Sequence, residues 1–149
     1  MGVLKLRRCK YYDLALKKCH SSDKYFSIHG LWPEESHTKW PSFCNQSSHF
    51  NLSQIKGLES EMEKVWFSCG GDNIDFWKHE YLKHGTCSLF NQSSYFNTTL
   101  NLFKLINQDK RIIEKYCNNN NNDNNNDYGL ESSKLQCLIP FNKNLTIRN

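Results

Sequence analysis

No stretch of this sequence is apolar for the roughly 20 residues that a membrane-crossing helix needs, which excludes such a span within it. The opening residues, MGVLKLRR, lack the apolar h-region of a secretory signal peptide. No two cysteines stand close enough to form the paired knuckles of a structural zinc site. No internal repeat is visible, so a solenoid is excluded. Nor is there a large excess of charge: 19 Lys and Arg against 15 Asp and Glu leave a formal +4, a balance that suits a polyanionic partner without demanding one.

What is there supports one core. A chain of 149 residues with 38% hydrophobic and 13% aromatic content typically buries ~68–70% of its unfolded surface, so one globular domain is expected over 1–149. The seven cysteines, Cys9, Cys19, Cys44, Cys69, Cys87, Cys117 and Cys137, are widely spaced, which favours disulfides. Five sequons accompany them, at Asn45, Asn51, Asn91, Asn97 and Asn144. Together they point to the secretory route, hence to a secreted or lysosomal/vacuolar protein with no membrane partner.

Along the chain, the alternation in YFSIH puts Phe26 and Ile28 on one face of a strand and Tyr25, Ser27 and His29 on the other, with Gly30 and Pro33 breaking it. His29 then looks away from the core. Leu52, Ile55, Leu58, Met62, Val65 and Trp66 have helical spacing and predict a helix over 53–66. Asn73 or Asp75 is expected to cap a second helix, which Gly85 ends. A third helical region runs from Tyr95 to Tyr116 and bends near Asn107. Residues 118–127, almost pure Asn and Asp, read as a disordered insert, and too little sequence follows for a second core.

The second helix carries FWKHEYLKHGTC, Phe76–Cys87. Its His-Glu-x-x-x-His pattern differs from the metalloprotease signature by one residue. At ~100° per residue His79 and His84 lie ~140° apart around the helix, whereas two ligands of one zinc ion stand four apart on one face. No metal or other cofactor is therefore expected. The four-residue spacing pairs His79 with Lys83 and Glu80 with His84. Such a group can hold an anion and move a proton. The bland alternative is a solvated helix face, but Phe76, Trp77 and Cys87 tie this one to a core.

FSIHGLWP, Phe26–Pro33, and FWKHEYLKHGTC together resemble the two active-site segments of the ribonuclease T2 family, in the right order and at a plausible separation, over roughly Tyr25–Ile106. Where the family usually has Trp-Pro in its first strand, this chain has LKLRRCKYYDLALKKC, and Tyr81 stands where many members have Trp. The resemblance implies an α+β fold, a central antiparallel sheet with packed helices, stabilised by disulfides. It also implies metal-independent cleavage of single-stranded RNA by a monomer, through a 2′,3′-cyclic phosphate. By motif position His29 becomes the acid, His84 the base, and His79, Glu80 and Lys83 the phosphate site. Trp32 and Glu34 are the candidates for base contact. The resemblance points to a Cys44–Cys87 disulfide, and Cys19–Cys69 and Cys117–Cys137 are further expected pairs. The rival expectation is a secreted RNA-binding glycoprotein without turnover. With one histidine neutral and the other protonated, activity is expected to peak at mildly acidic pH.

Overall fold

The computed structural model describes residues 11–35, 40–118 and 135–148. Three strands form one antiparallel sheet, β1 (Tyr11–Lys17), β2 (Ser27–Glu34) and β3 (Gln136–Asn142), in the order β2-β1-β3. The central strand is covered on both faces, with Tyr12 to Leu16 all buried. That is why YYDLALK shows no clear polar alternation: a strand enclosed on both sides reads as a near-continuous apolar run. In β3 the alternation survives as buried Cys137, Ile139 and Phe141.

Against the sheet lie α1 (Glu59–Val65), α2 (Asn73–Lys83), α3 (Gln92–Asn107) and the short α4 (Lys110–Ile113). The expected helix over 53–66 divides into a 3-10 turn, Leu52–Ile55, and α1. Gly57, a weak helix former, lies in the break between them. Helical spacing still delivers Ile55, Met62 and Trp66 to the core at 0% exposure. Asp72, rather than Asn73 or Asp75, caps α2 by accepting from the Ile74 N–H at 2.9 Å; Asn73 instead accepts from Ser68 N–H at 2.8 Å and closes the preceding turn. At the expected bend the third helical region is interrupted: α3 begins at Gln92 and ends at Asn107 with Gln108 as its C-cap, and α4 starts anew behind the Asp109 cap. The expected insert, 118–127, lies outside the described residues apart from the backbone of Asn118, and so does Cys9.

Gly30 and Pro33 do not break β2, which continues to Glu34. Proline is tolerated because β2 is an edge strand, where a missing N–H need not cost a ladder bond. Nor does Gly85 end α2 by a left-handed turn. The helix stops at Lys83, with His84 as the C-cap, and Gly85 opens a 3-10 turn, Gly85–Cys87. A Cβ there would meet the Tyr81 ring at 2.5 Å and the Tyr95 ring at 3.1 Å, so close packing is what requires glycine.

Three disulfides join Cys19 to Cys69, Cys44 to Cys87 and Cys117 to Cys137. The loops closed by the first two overlap, since Cys44 lies inside the first and Cys69 inside the second.

Candidate active site

The site begins with an irregularity in β2. Ala15 pairs with Gly30 and Leu16 with Ile28, so His29 is an extra residue opposite β1. A bulge of this kind re-aims a side chain and resets the alternation. Its effect is visible in the burial: Ile28 and Leu31, three apart, are both at 0% exposure, while His29 and Trp32 stay partly open. Helix side chains also satisfy the edge of the strand. Trp66 Nε1–H donates to the His29 carbonyl at 2.9 Å, and the Tyr95 hydroxyl donates to the Leu31 carbonyl at 2.9 Å while accepting from its N–H at 3.3 Å. The backbone under His29 is thus fixed from the core side, and Trp77 supports Trp66 by donating to its carbonyl at 2.6 Å.

Opposite stands Glu80 of α2, only 2% exposed. One carboxylate oxygen faces His29 Nε2 at 3.3 Å, and the other accepts from Trp32 Nε1–H at 3.1 Å. Any Cβ at position 30 would collide with that carboxylate and lie 2.9 Å from Trp32 Nε1, so Gly30 leaves the room in which it sits. The indole of Trp32 is the hub: His84 stacks on it with centroids 4.9 Å apart and planes at 22°, while His29 meets it edge-on at 5.0 Å. The two histidines, 55 positions apart in sequence, therefore contact one ring. Trp32 offers a base no free face on the His84 side.

His84 is 5% exposed, and its Nδ1 finds no hydrogen-bond partner among the described residues. Burial pushes its imidazole down to about 4; Glu80 opposes that, while Lys83, His29 and His79 add to it. Desolvation settles the direction, which the surrounding charges alone leave open. His79 is exposed and packs edge-on to Phe43 at 6.3 Å; Lys83 is half-buried, its carbonyl accepting from Phe43 N–H at 2.8 Å. Glu34 is buried at the far end of β2, and burial together with Asp13 raises it to about 7. Among the described residues no three His, Cys, Asp or Glu side chains converge as a metal site would require.

Four further residues complete the surroundings, of which Lys17, Trp40 and Gln136 lie outside both motifs. Trp40 meets the Trp32 ring edge-on at 5.3 Å and donates to Asp13 at 2.9 Å. Phe76 packs 5.8 Å from the His29 ring. Lys17 extends its ammonium to the Phe67 carbonyl at 2.7 Å and Ser27 Oγ at 3.0 Å, over the rings of Phe67 and Phe76. Burial lowers Lys17 to about 8. Gln136 of β3 reaches His29 Nδ1 at 3.2 Å.

A stability signature follows from His84. Its folded value lies below the ordinary ~6.5, so between about 4 and 6.5 the unfolded chain binds more protons and stability falls as the pH is lowered. The contribution is complete above ~6.5 and diminished by ~2–3 kcal/mol at pH 4.5. Glu34, held up at about 7, acts in the opposite sense over part of this range. The measurement is therefore a difference: denaturant unfolding at pH 7 and 4.5 for the wild type and His84→Gln. The wild type should lose ~2–3 kcal/mol more than the variant; equal losses would contradict the assignment.

Comparison with known proteins places this geometry in a context. The sequence model of the ribonuclease T2 family matches residues 6–134. Intracellular ribonuclease LX of Solanum lycopersicum is 42% identical over 132 residues, 83% of this chain and 54% of the relative. The chain spans about half the length of the curated relatives it matches. A ribonuclease MC1 variant in complex with 5′-GMP superposes with a TM-score of 0.58 at 28% identity, over 66% of this chain and 58% of that one. Human RNase T2 shares the fold, with a TM-score of 0.69 at 23% identity over 94% of this chain and 89% of that one.

Proposed function

From the premise that this chain belongs to the ribonuclease T2 family, we propose that its cleft cleaves single-stranded RNA without a metal ion. The observation that carries the reading is the convergence of His29 and His84 on one indole, with Glu80 buried against His29 and Trp32. His84, neutral down to about pH 4, takes the proton of the ribose 2′-hydroxyl. The freed oxygen attacks the adjacent phosphorus, and the bond to the 5′-oxygen breaks as that oxygen receives a proton from His29. The product is a 2′,3′-cyclic phosphate; water then opens it to a 3′-phosphate with the two histidines exchanging roles. Lys83, His79 and Glu80 line the phosphate position, where preorganised charge acts most strongly on the pentacoordinate transition state. Trp32 serves as scaffold on its His84 face, and base contact falls to its remaining edge and to the neighbourhood of Glu34.

The chain acts as one monomeric unit on the secretory route, extracellular or vacuolar/lysosomal. Three disulfides and five exposed sequon asparagines support this, and among the described residues no helix is long and apolar enough to cross a membrane. The oxygens of Asn51 and Asn91 cap helices; a glycan on Nδ2 would leave those oxygens in place.

The test is incubation of the purified chain with a dinucleotide in excess chelator. A 2′,3′-cyclic phosphate followed by a 3′-phosphate is expected, with activity persisting toward pH 4.5 because His84 stays neutral there. A 5′-phosphate product, loss of turnover with chelator, or binding without cleavage would each refute the reading.

A further inference from the structure

His29 has contacts at both ring nitrogens, and they come from two distant segments of the chain. Nε2 faces Glu80 from α2; Nδ1 faces the side-chain amide of Gln136, the first residue of β3. Gln136 lies beyond residues 6–134, where the family match ends. Its position is built by the sheet. Lys17 of β1 pairs with Ser27 on one side and with Gln136 on the other, so Gln136 enters the row of residues from which the His29 bulge begins. The neighbouring Cys137 is buried and bonded to Cys117, and Lys18 N–H donates to the Leu135 carbonyl at 2.8 Å. The strand end that carries the amide is held on both sides.

Which proton the ring carries follows from hydrogen-bond chemistry. A carboxylate only accepts, so in the neutral ring the N–H belongs on Nε2, toward Glu80, and Nδ1 accepts from the Gln136 amide N–H. When the ring is protonated, reversing the amide brings its oxygen to the same place, where it accepts from Nδ1–H. An amide can serve both forms; a carboxylate or a methylene cannot. The other charged groups around the ring are Glu80 and His84 from the region of α2 and Lys17 from β1, whose ammonium shares the Phe76 ring with His29.

We infer that Gln136 is a positioning residue for His29: by holding Nδ1 in both protonation states, it leaves Nε2 as the nitrogen that exchanges a proton with substrate. The catalytic part of this inference rests on the ribonuclease reading; the coupling of Gln136 to the imidazole does not. The logic is that of a general acid–base histidine kept in one tautomer by a partner on its far nitrogen.

Two variants test it, each with a readout independent of turnover. Ring 15N shifts of His29 should report the Nε2–H form in the neutral wild type, a tautomer mixture in Gln136→Met, and a retained Nδ1–H in Gln136→Glu. With RNA, Gln136→Met should lower kcat roughly ten-fold with KM little changed. Gln136→Glu should move the alkaline limb of the pH–rate profile to higher pH and leave the acid limb in place. A merely structural residue would move neither tautomer nor limb. Ring shifts identical to wild type in both folded variants would overturn the inference. Altered shifts in a protein without turnover would sink the ribonuclease reading while leaving the coupling intact.

Discussion

A His84→Ala chain is expected to bind RNA nearly as the wild type does and to cleave it ~10²–10⁴-fold more slowly, the usual worth of a positioned general base. Single-turnover cleavage measured beside equilibrium binding separates the two quantities. The same division is expected for His29→Ala, which removes the acid while leaving the phosphate-lining residues in place. The two changes should not multiply. In the proposed scheme the two imidazoles serve one concerted displacement as base and acid, so the double variant should lose less than the product of the singles. His84 also stacks on Trp32, and for that reason His84→Asn and His84→Phe belong in the series. Asn keeps polarity without the ring, and Phe keeps the ring without the base. If either retained full turnover, His84 could not be the base.

Loss of the Cys44–Cys87 bridge is expected to produce a large change in stability. The cross-link spans 43 positions, for which the chain-entropy account gives ~4 kcal/mol. A domain of ordinary stability has only about 5–15 kcal/mol in total. Beyond that, the bridge anchors the segment that passes under the site: Cys44 N–H donates to Thr86 Oγ1 at 3.1 Å and Phe43 N–H to the Lys83 carbonyl at 2.8 Å. Phe43 has a positive φ of 51°, a conformation rare for residues other than glycine that persists only where its surroundings impose it. A Cys44→Ala/Cys87→Ala chain should therefore unfold at much lower denaturant and, under native conditions, lose part of its turnover as the His79 side of the site loosens. Denaturation midpoints within experimental error of the wild type would count against both statements.

The parts of this architecture that could be read from sequence are those whose signal is local. The charges of α2 lie within three turns, so their angular relations follow from helix geometry alone, and the periodicity of α3 is likewise short-range. The sheet was less legible. Buried on both faces, β1 loses the alternation that would mark it, and apolar Leu138 and Pro140 blur the alternation in β3. In β2 the bulge at His29 resets the period midway, so a strand read from residues 25–29 alone appears to stop at Gly30. The residues that went unnoticed at the site, Lys17, Trp40 and Gln136, share a cause. Each reaches the surroundings of the site through the fold rather than through sequence spacing, and a lysine in LALKKC or a glutamine in KLQCL carries no local mark of what it will touch.

The overlapping loops closed by Cys19–Cys69 and Cys44–Cys87 bear on how the chain is made. Synthesis is vectorial, and Cys44 becomes accessible before Cys69 or Cys87 does. Among the thiols then at hand, Cys19 and Cys44 are not partners of each other. Any bond closed at that stage between Cys19 and Cys44 withholds both from their eventual mates, and it must be undone by thiolate attack from a cysteine that arrives later. Where such a bond forms, the chain reaches its final connectivity by exchange, on the scale of seconds to hours that isomerase supply determines.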